Sequence, residues 1–137
     1  MKVMVDLNVI VDVLQRREQF LLPSAKLCDV ICAKRCEGII ASHAVTTLFY
    51  IIRRSAGKAE ADKALDWLFA TFDVVAADKT TFLTAKTMKF NDFEDAVVAA
   101  SALKEKCDFI ATRNIGDFRN SPLKAVTPEE LLSIIGQ

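Results

Sequence analysis

Val3-Met4-Val5-Asp6-Leu7-Asn8-Val9-Ile10-Val11-Asp12-Val13-Leu14 is the stretch that decides the fold. A short apolar strand, Lys2 to Val5, stops at Asp6, and a pattern apolar nearly all round runs from Asn8 to Leu14 as a short buried helix. A strand that feeds a buried helix opens a β-α unit, in which helices cover a parallel sheet. In open parallel sheets ligands and chemistry gather beyond the carboxyl ends of the strands. Asp6 therefore stands where a functional carboxylate would stand, with apolar neighbours on both sides.

Outward from this stretch the alternation continues. Arg16-Arg17-Glu18 reads as a loop, Pro23 as the first turn of a helix reaching about Cys36, and Gly38 as its stop. Ile39-Ile40-Ala41 is a second strand. Ser42 is a plausible cap for a helix over about 44–54, and after Ser55-Ala56-Gly57 a further helix runs from Ala59 to Phe69, the two forming an αα-hairpin. Phe72 to Ala76 reads as a third strand, and Asp78 caps a helix reaching about Met88. A small-residue helix then begins at Phe93 and ends at Lys104-Glu105-Lys106. Asp108 to Thr112 and Leu123 to Val126 are the last strands, and Thr127-Pro128-Glu129-Glu130 opens the final helix with a cap, a proline at its first position and acids in its first turn. Parallel crossovers need helix-length connections, so the pattern predicts an α/β fold: one domain over 1–137, with four to five parallel strands covered on both faces.

The composition bounds the function. Lys plus Arg and Asp plus Glu stand at 18 each, so no global positive field draws the chain onto nucleic acid, and any such contact must be a local patch. No leader pattern opens the sequence and no apolar run is of membrane-spanning length, which predicts a cytoplasmic protein with no membrane partner. Cys28, Cys32 and Cys36 recur every fourth residue, too spread along a helix to converge on one zinc ion, and read as small buried groups. His43 is the only histidine, which leaves little room for histidine-based nucleophilic or multi-histidine metal sites; a helix-start or packing role is the favoured reading.

Three acidic positions follow strands or open helices: Asp6, Asp95 and Asp117. Carboxylates with open coordination positions suit hard cations such as Mg²⁺ and Mn²⁺, which can activate water and offset charge on a phosphodiester. Asp92, three residues before Asp95, can share its helix face and is the auxiliary acid, while Glu94 points elsewhere. Acids in a first helical turn also interact well with the helix dipole. Thr112 and Asn114 can hydrogen-bond Asp6 or a metal-bound water, and Arg113 and Arg119 offer cations to a phosphate backbone, with Asn8 a further candidate substrate contact.

Asp6 through Asp12, Ser42 through Arg54, Asp92-Phe93-Glu94-Asp95-Ala96 and Thr112-Arg113-Asn114-Ile115-Gly116-Asp117-Phe118 stand in an order and spacing that resemble a bacterial PIN domain, of the branch containing the VapC-type toxins. The resemblance spans essentially the whole chain. It implies a three-layer α/β/α fold and a Mg²⁺- or Mn²⁺-dependent endoribonuclease, with Asp6, Asp95 and Asp117 as metal ligands and Asn114 in the catalytic set, which Asp92 joins by its spacing from Asp95. It also implies an RNA substrate, a cognate antitoxin and a homodimer. Two positions depart from the family pattern: Thr47 stands where the second acid, a glutamate, is expected, and Asn114 where the fourth acid often sits, leaving Asp117 three residues on. A catalytically degenerate module that binds RNA or a protein without cutting is the alternative.

Other doubly wound domains with strand-end aspartates fit less well. A haloacid-dehalogenase-like phosphatase needs a second aspartate where this chain has Asn8. A receiver domain needs a phosphorylatable aspartate after the third strand, where Ala76-Ala77-Asp78 fits poorly.

Overall fold

A computed structural model describes residues 1–137. The elements run β1 (Lys2–Val5), α1 (Leu7–Leu14), α2 (Glu18–Cys32), β2 (Glu37–Ala41), α3 (Ser42–Ala56), α4 (Lys58–Thr71), β3 (Asp73–Val75), α5 (Lys79–Thr87) and α6 (Phe93–Lys104). β4 (Phe109–Ala111), a 3-10 turn (Ile115–Phe118), β5 (Ala125–Val126) and α7 (Pro128–Ile135) complete the chain. Every strand pair is parallel and the order is β3-β2-β1-β4-β5. The expected α/β architecture, with five strands, is what the chain adopts.

Side chains alternate across the sheet and so build two cores. Val3, Val5, Ile40, Ala111 and Val126 face α1, α2, α3, α4 and α7, where Val9, Leu27, Leu48, Leu68 and Leu131 meet them. Met4, Ile39, Ala41, Val75 and Ile110 face the other way, onto Val98, Ala99 and Ala102 of α6. Small residues on α6 let it lie close to the sheet, and Ala85 of α5 packs on its outer side against Ala96, Val97 and Ala100. From β1 the chain moves through β2 to β3 with its helices on one face; it then returns through α5 and α6 on the opposite face to β4, on the other side of β1. Connections leave β1 and β4 in opposite directions. That switch point opens a crevice at the carboxyl ends of these two strands, just beyond Val5 and Ala111.

The structure corrects several boundaries. α2 begins at Glu18, inside the expected loop, and Pro23 lies within the helix instead of opening it. The hydrogen bond that Pro23 cannot donate would have gone to the carbonyl of Gln19, an exposed residue that water can serve. The helix ends at Cys32, Lys34 takes a left-handed conformation at φ 58°, and Cys36 lies beyond it, so the three cysteines do not share one helix face, and Cys32 is exposed where all three were expected to be buried. Gly38 closes no helix: it sits in β2, where a Cβ would come within 2.7 Å of Ile31 and 3.0 Å of Phe72. Ser42 is the first residue of α3 and makes no capping bond. Asp78 and Thr127 cap α5 and α7 as expected, each within a reciprocal capping box.

Candidate active site

The crevice at the switch point is built from its backbone outward. Asp6 follows β1 directly, its amide donating to the carbonyl of Ala111 at 2.9 Å and thereby extending the β1–β4 ladder by one residue. Its extended backbone makes it the N-cap of α1: the Leu7 amide donates to Asp6 Oδ1 at 2.8 Å. Its other oxygen, Oδ2, accepts from the Thr112 hydroxyl, also at 2.8 Å. Thr112 is fully buried and is a hub, accepting on its Oγ1 from Asn8 Nδ2 at 3.3 Å and from the Asn114 amide at 3.1 Å. Burial raises the Asp6 pKa above the usual aspartate value, and Asp117 adds to the rise, against the Thr112 and Leu7 hydrogen bonds and the nearby His43.

Asp95 lies in the first turn of α6, where Asp92, the N-cap, accepts from the Asp95 amide at 3.1 Å. Burial, followed by the negative charges of Asp6, Asp92, Asp117 and Glu94, pushes its carboxyl up to about 7. Four acids from three separate elements thus bear on one carboxyl. An open cavity of about 560 Å³ lies here, lined by Lys89, Phe90, Asn91, Asp92, Asp95, Gly116, Asp117, Arg119 and Asn120. Asn120 Nδ2 donates to the Lys89 carbonyl at 2.6 Å, tying the two sides of the cavity together. Lys89 and Arg119 are exposed and neither takes part in a salt bridge.

The expected residues divide accordingly. Asp92, Asp95, Asp117 and Arg119 line the cavity; Asp6, Thr112 and Asn8 form a hydrogen-bonded group outside that lining, with Asp6 near enough for its charge to bear on Asp95; Asn114 is exposed and contributes its amide. Arg113 does not reach the cavity. Its Nε donates to Asp12 Oδ2 at 2.8 Å and its Nη2 to Asp12 Oδ1 at 3.3 Å, so its guanidinium is turned to α1 and not to the cavity. Thr47, half-buried on α3, is not among the lining residues, and neither is Glu94. Two residues escaped the sequence reading. Lys89 gave no signal beyond being a lysine before the acidic turn, and His43 bears on Asp6 through the neighbouring strand end, a pairing visible only once β2 lies beside β1.

The donor chemistry fits a hard divalent cation: several carboxylates repel one another, and no thiol or imidazole cluster competes. No three acidic, histidine or cysteine side chains are grouped closely enough to share one ion. An ion here would touch one or two carboxylates directly and reach the rest through its own waters, as Mg²⁺ commonly does.

A doubly wound parallel sheet between two helical layers, with carboxylates gathered at its switch point, defines the class: a three-layer α/β/α domain with an acidic strand-end site. Within that class the chain belongs to the PIN domain family, whose profile matches residues 2–116. It is 27% identical to Ribonuclease VapC1 of Aquifex aeolicus (strain VF5), over 94% of this chain and 92% of that protein. The fold is shared with a crystal structure of VapBC2 from Rickettsia felis bound to a DNA fragment from its promoter (TM-score 0.74, 17% identity, 93% of this chain and 98% of that one). It is also shared with Mycobacterium tuberculosis VapC20, a sarcin-ricin loop cleaving toxin (TM-score 0.62, 12% identity, 79% and 86%). No helix is long and apolar enough to cross a membrane.

Proposed function

We propose that this PIN domain is a Mg²⁺- or Mn²⁺-dependent endoribonuclease, the homodimeric toxin of a toxin-antitoxin pair. The observation that carries this reading is the convergence of Asp6, Asp95 and Asp117 from three elements onto one crevice. The likeness to Ribonuclease VapC1 supports RNA as substrate, and the VapBC neighbours support an antitoxin partner. Asp6, Asp95 and Asp117 would hold the ion, which when bound acidifies water and offsets charge developing on the phosphate. Thr112 and the Leu7 amide fix both oxygens of Asp6, so its carboxylate does not have to reorganise. Asp95 would give up its proton on loading. Lys89 and Arg119 would take phosphate oxygens at the cavity, leaving the scissile phosphorus open to water; the new P–O bond forms to water and the bond to the ribose oxygen breaks.

Asp6→Asn keeps an oxygen to cap α1 and removes the charge. Mn²⁺-stimulated cleavage of an RNA oligonucleotide should disappear while far-ultraviolet circular dichroism stays unchanged; unaltered cleavage by the folded variant would sink the proposal. Thr47 favours a second reading, a module that binds RNA or protein without cutting. Calorimetry separates the two: no Mn²⁺ binding at millimolar concentration, with RNA binding retained, selects the second.

A further inference from the structure

We propose that Asp12 and Arg113 are positioning residues, an ion pair with a buried carboxylate and a half-buried guanidinium that clamps the loop after β4 onto α1 and so keeps Thr112 hydrogen-bonded to Asp6. The inference rests on the nuclease reading, because the group being positioned is one of the carboxylates assigned to the ion. Asp12 is wholly buried, at 0% exposure, and faces two arginines. It receives a two-pronged contact from Arg113, at 2.8 and 3.3 Å, and a third from Arg17 Nη1 at 3.5 Å. The guanidinium of Arg113 also lies 4.4 Å from the centre of the Phe20 ring, which fixes its plane.

The placement of this pair gives it meaning. Asp6, Asn8 and Asp12 lie in order on or capping α1, and each is tied to the dipeptide Thr112-Arg113: Asp6 by the Thr112 hydroxyl, Asn8 by the Arg113 amide at 3.3 Å and through Thr112, Asp12 by the Arg113 side chain. Thr112 and Arg113 are consecutive, so a shift of the loop backbone at Arg113 is passed to Thr112, whose amide is held on the other side by the Val126 carbonyl at 2.9 Å. A buried ion pair adds little net stability, since desolvation offsets most of the attraction. Its directional fork instead selects one register of the loop on the helix. Arg113 and Asp12 line a separate small cavity with Phe20, Pro23, Pro128 and Glu129, which shares no residue with the cavity of Asp92, Asp95 and Asp117 and so sets positioning apart from contact with RNA there.

Arg113→Lys keeps the charge and loses the fork; Asp12→Asn keeps the shape and loses the charge. Far-ultraviolet circular dichroism and Tm report folding, calorimetry without RNA reports Mn²⁺ affinity, and cleavage assays over a range of salt report kcat and KM. The folded variants should bind Mn²⁺ more weakly by up to about 10-fold, the low end of the loss usual for a partner bonded to a ligand, because Asp12 and Arg113 act on Asp6 through Thr112. kcat should fall in parallel while KM and its salt dependence hold. If neither single variant folds, Asp12→Asn with Arg113→Met leaves no unpaired buried charge and takes the same measurements. Unchanged Mn²⁺ affinity in folded variants overturns the inference, as does a raised KM with shallower salt dependence, which would put Arg113 on the RNA backbone. A wild-type chain that neither binds Mn²⁺ nor cleaves RNA overturns the nuclease reading, and this inference with it.

Discussion

Asp95 is where one side chain couples to the stability of the whole chain. Its carboxyl titrates at about 7 in the fold against 3.8 for an ordinary aspartate, chiefly through burial and then through the acids around it. The native state therefore keeps a proton that the unfolded chain releases at lower pH. The sign follows: without metal, this carboxyl's contribution favours folding at low pH and is lost as pH rises through about 7. Asp95→Asn, which retains the backbone amide that Asp92 caps, should raise Tm in EDTA at pH 8, and the gain should shrink steadily toward pH 5. An equal gain at both pH values would mean that Asp95 is not held protonated. Asp6 and Asp95 were legible as candidates because one directly follows a strand and the other opens a helix, and Asp117 because it lies a few residues beyond the fourth strand; those positions are set by local pattern. The direction of Arg113 was not legible, since an arginine beside a functional threonine reads identically whether it points to solvent or back to a buried aspartate a hundred residues earlier. Thr47 shows the same limit: a departure from the family pattern is visible in one residue, but which neighbour stands in for the missing acid depends on the fold.

At the level of elements, α6 places Asp95 and is held against the sheet by its small residues. Ser101 interrupts this series: it is fully buried and its hydroxyl finds no hydrogen-bond partner. An unpaired buried hydroxyl costs about 1–3 kcal/mol. Ser101→Ala removes that cost and adds helix propensity, so Tm should rise by about 3–12 °C with Mn²⁺ affinity unchanged. A fall in Tm would show that the hydroxyl is satisfied by a group or water that its surroundings hide. Helix identities were readable from 3.6-residue periodicity throughout, and the capping boxes at Asp78 and Thr127 were readable as starts because they are closed within four residues. Where boundaries slipped, tertiary contacts had overridden local signals. Phe20, ahead of Pro23, packs against Arg113, so α2 extends five residues upstream of the proline that should have opened it. Gly38 is required by Ile31 and Phe72 packed above β2, a demand that nothing in its sequence neighbours announces.

Across the whole molecule, equal numbers of acidic and basic residues give no global field, so under the proposed function RNA would be drawn by a local patch, for which the cavity is the first candidate. There the cations are Lys89 and Arg119, at opposite ends of the lining sequence and free of salt bridges. A single-stranded nucleic acid releases counterions in proportion to the phosphates a protein neutralises, with a slope of about −0.7 per contact in a plot of log affinity against log salt. Two contacts give a slope of about −1.4, far shallower than that of a protein with an extended basic face. Fluorescence anisotropy of a labelled RNA strand, bound to Asp6→Asn so that it survives, would measure it across a series of salt concentrations. Lys89→Ala should halve the slope to about −0.7 and weaken binding across sequences alike, because a lysine on a phosphate reads no base. A slope several times steeper would move the RNA off this cavity onto a wider surface, such as one completed by a second copy of the chain. A slope unchanged by Lys89→Ala would leave Arg119 as the only phosphate contact in the cavity. The switch point that gathers the acids also brings these two cations to their edge, so one topological feature supplies both the charge that would hold a metal ion and the charge that would hold its substrate.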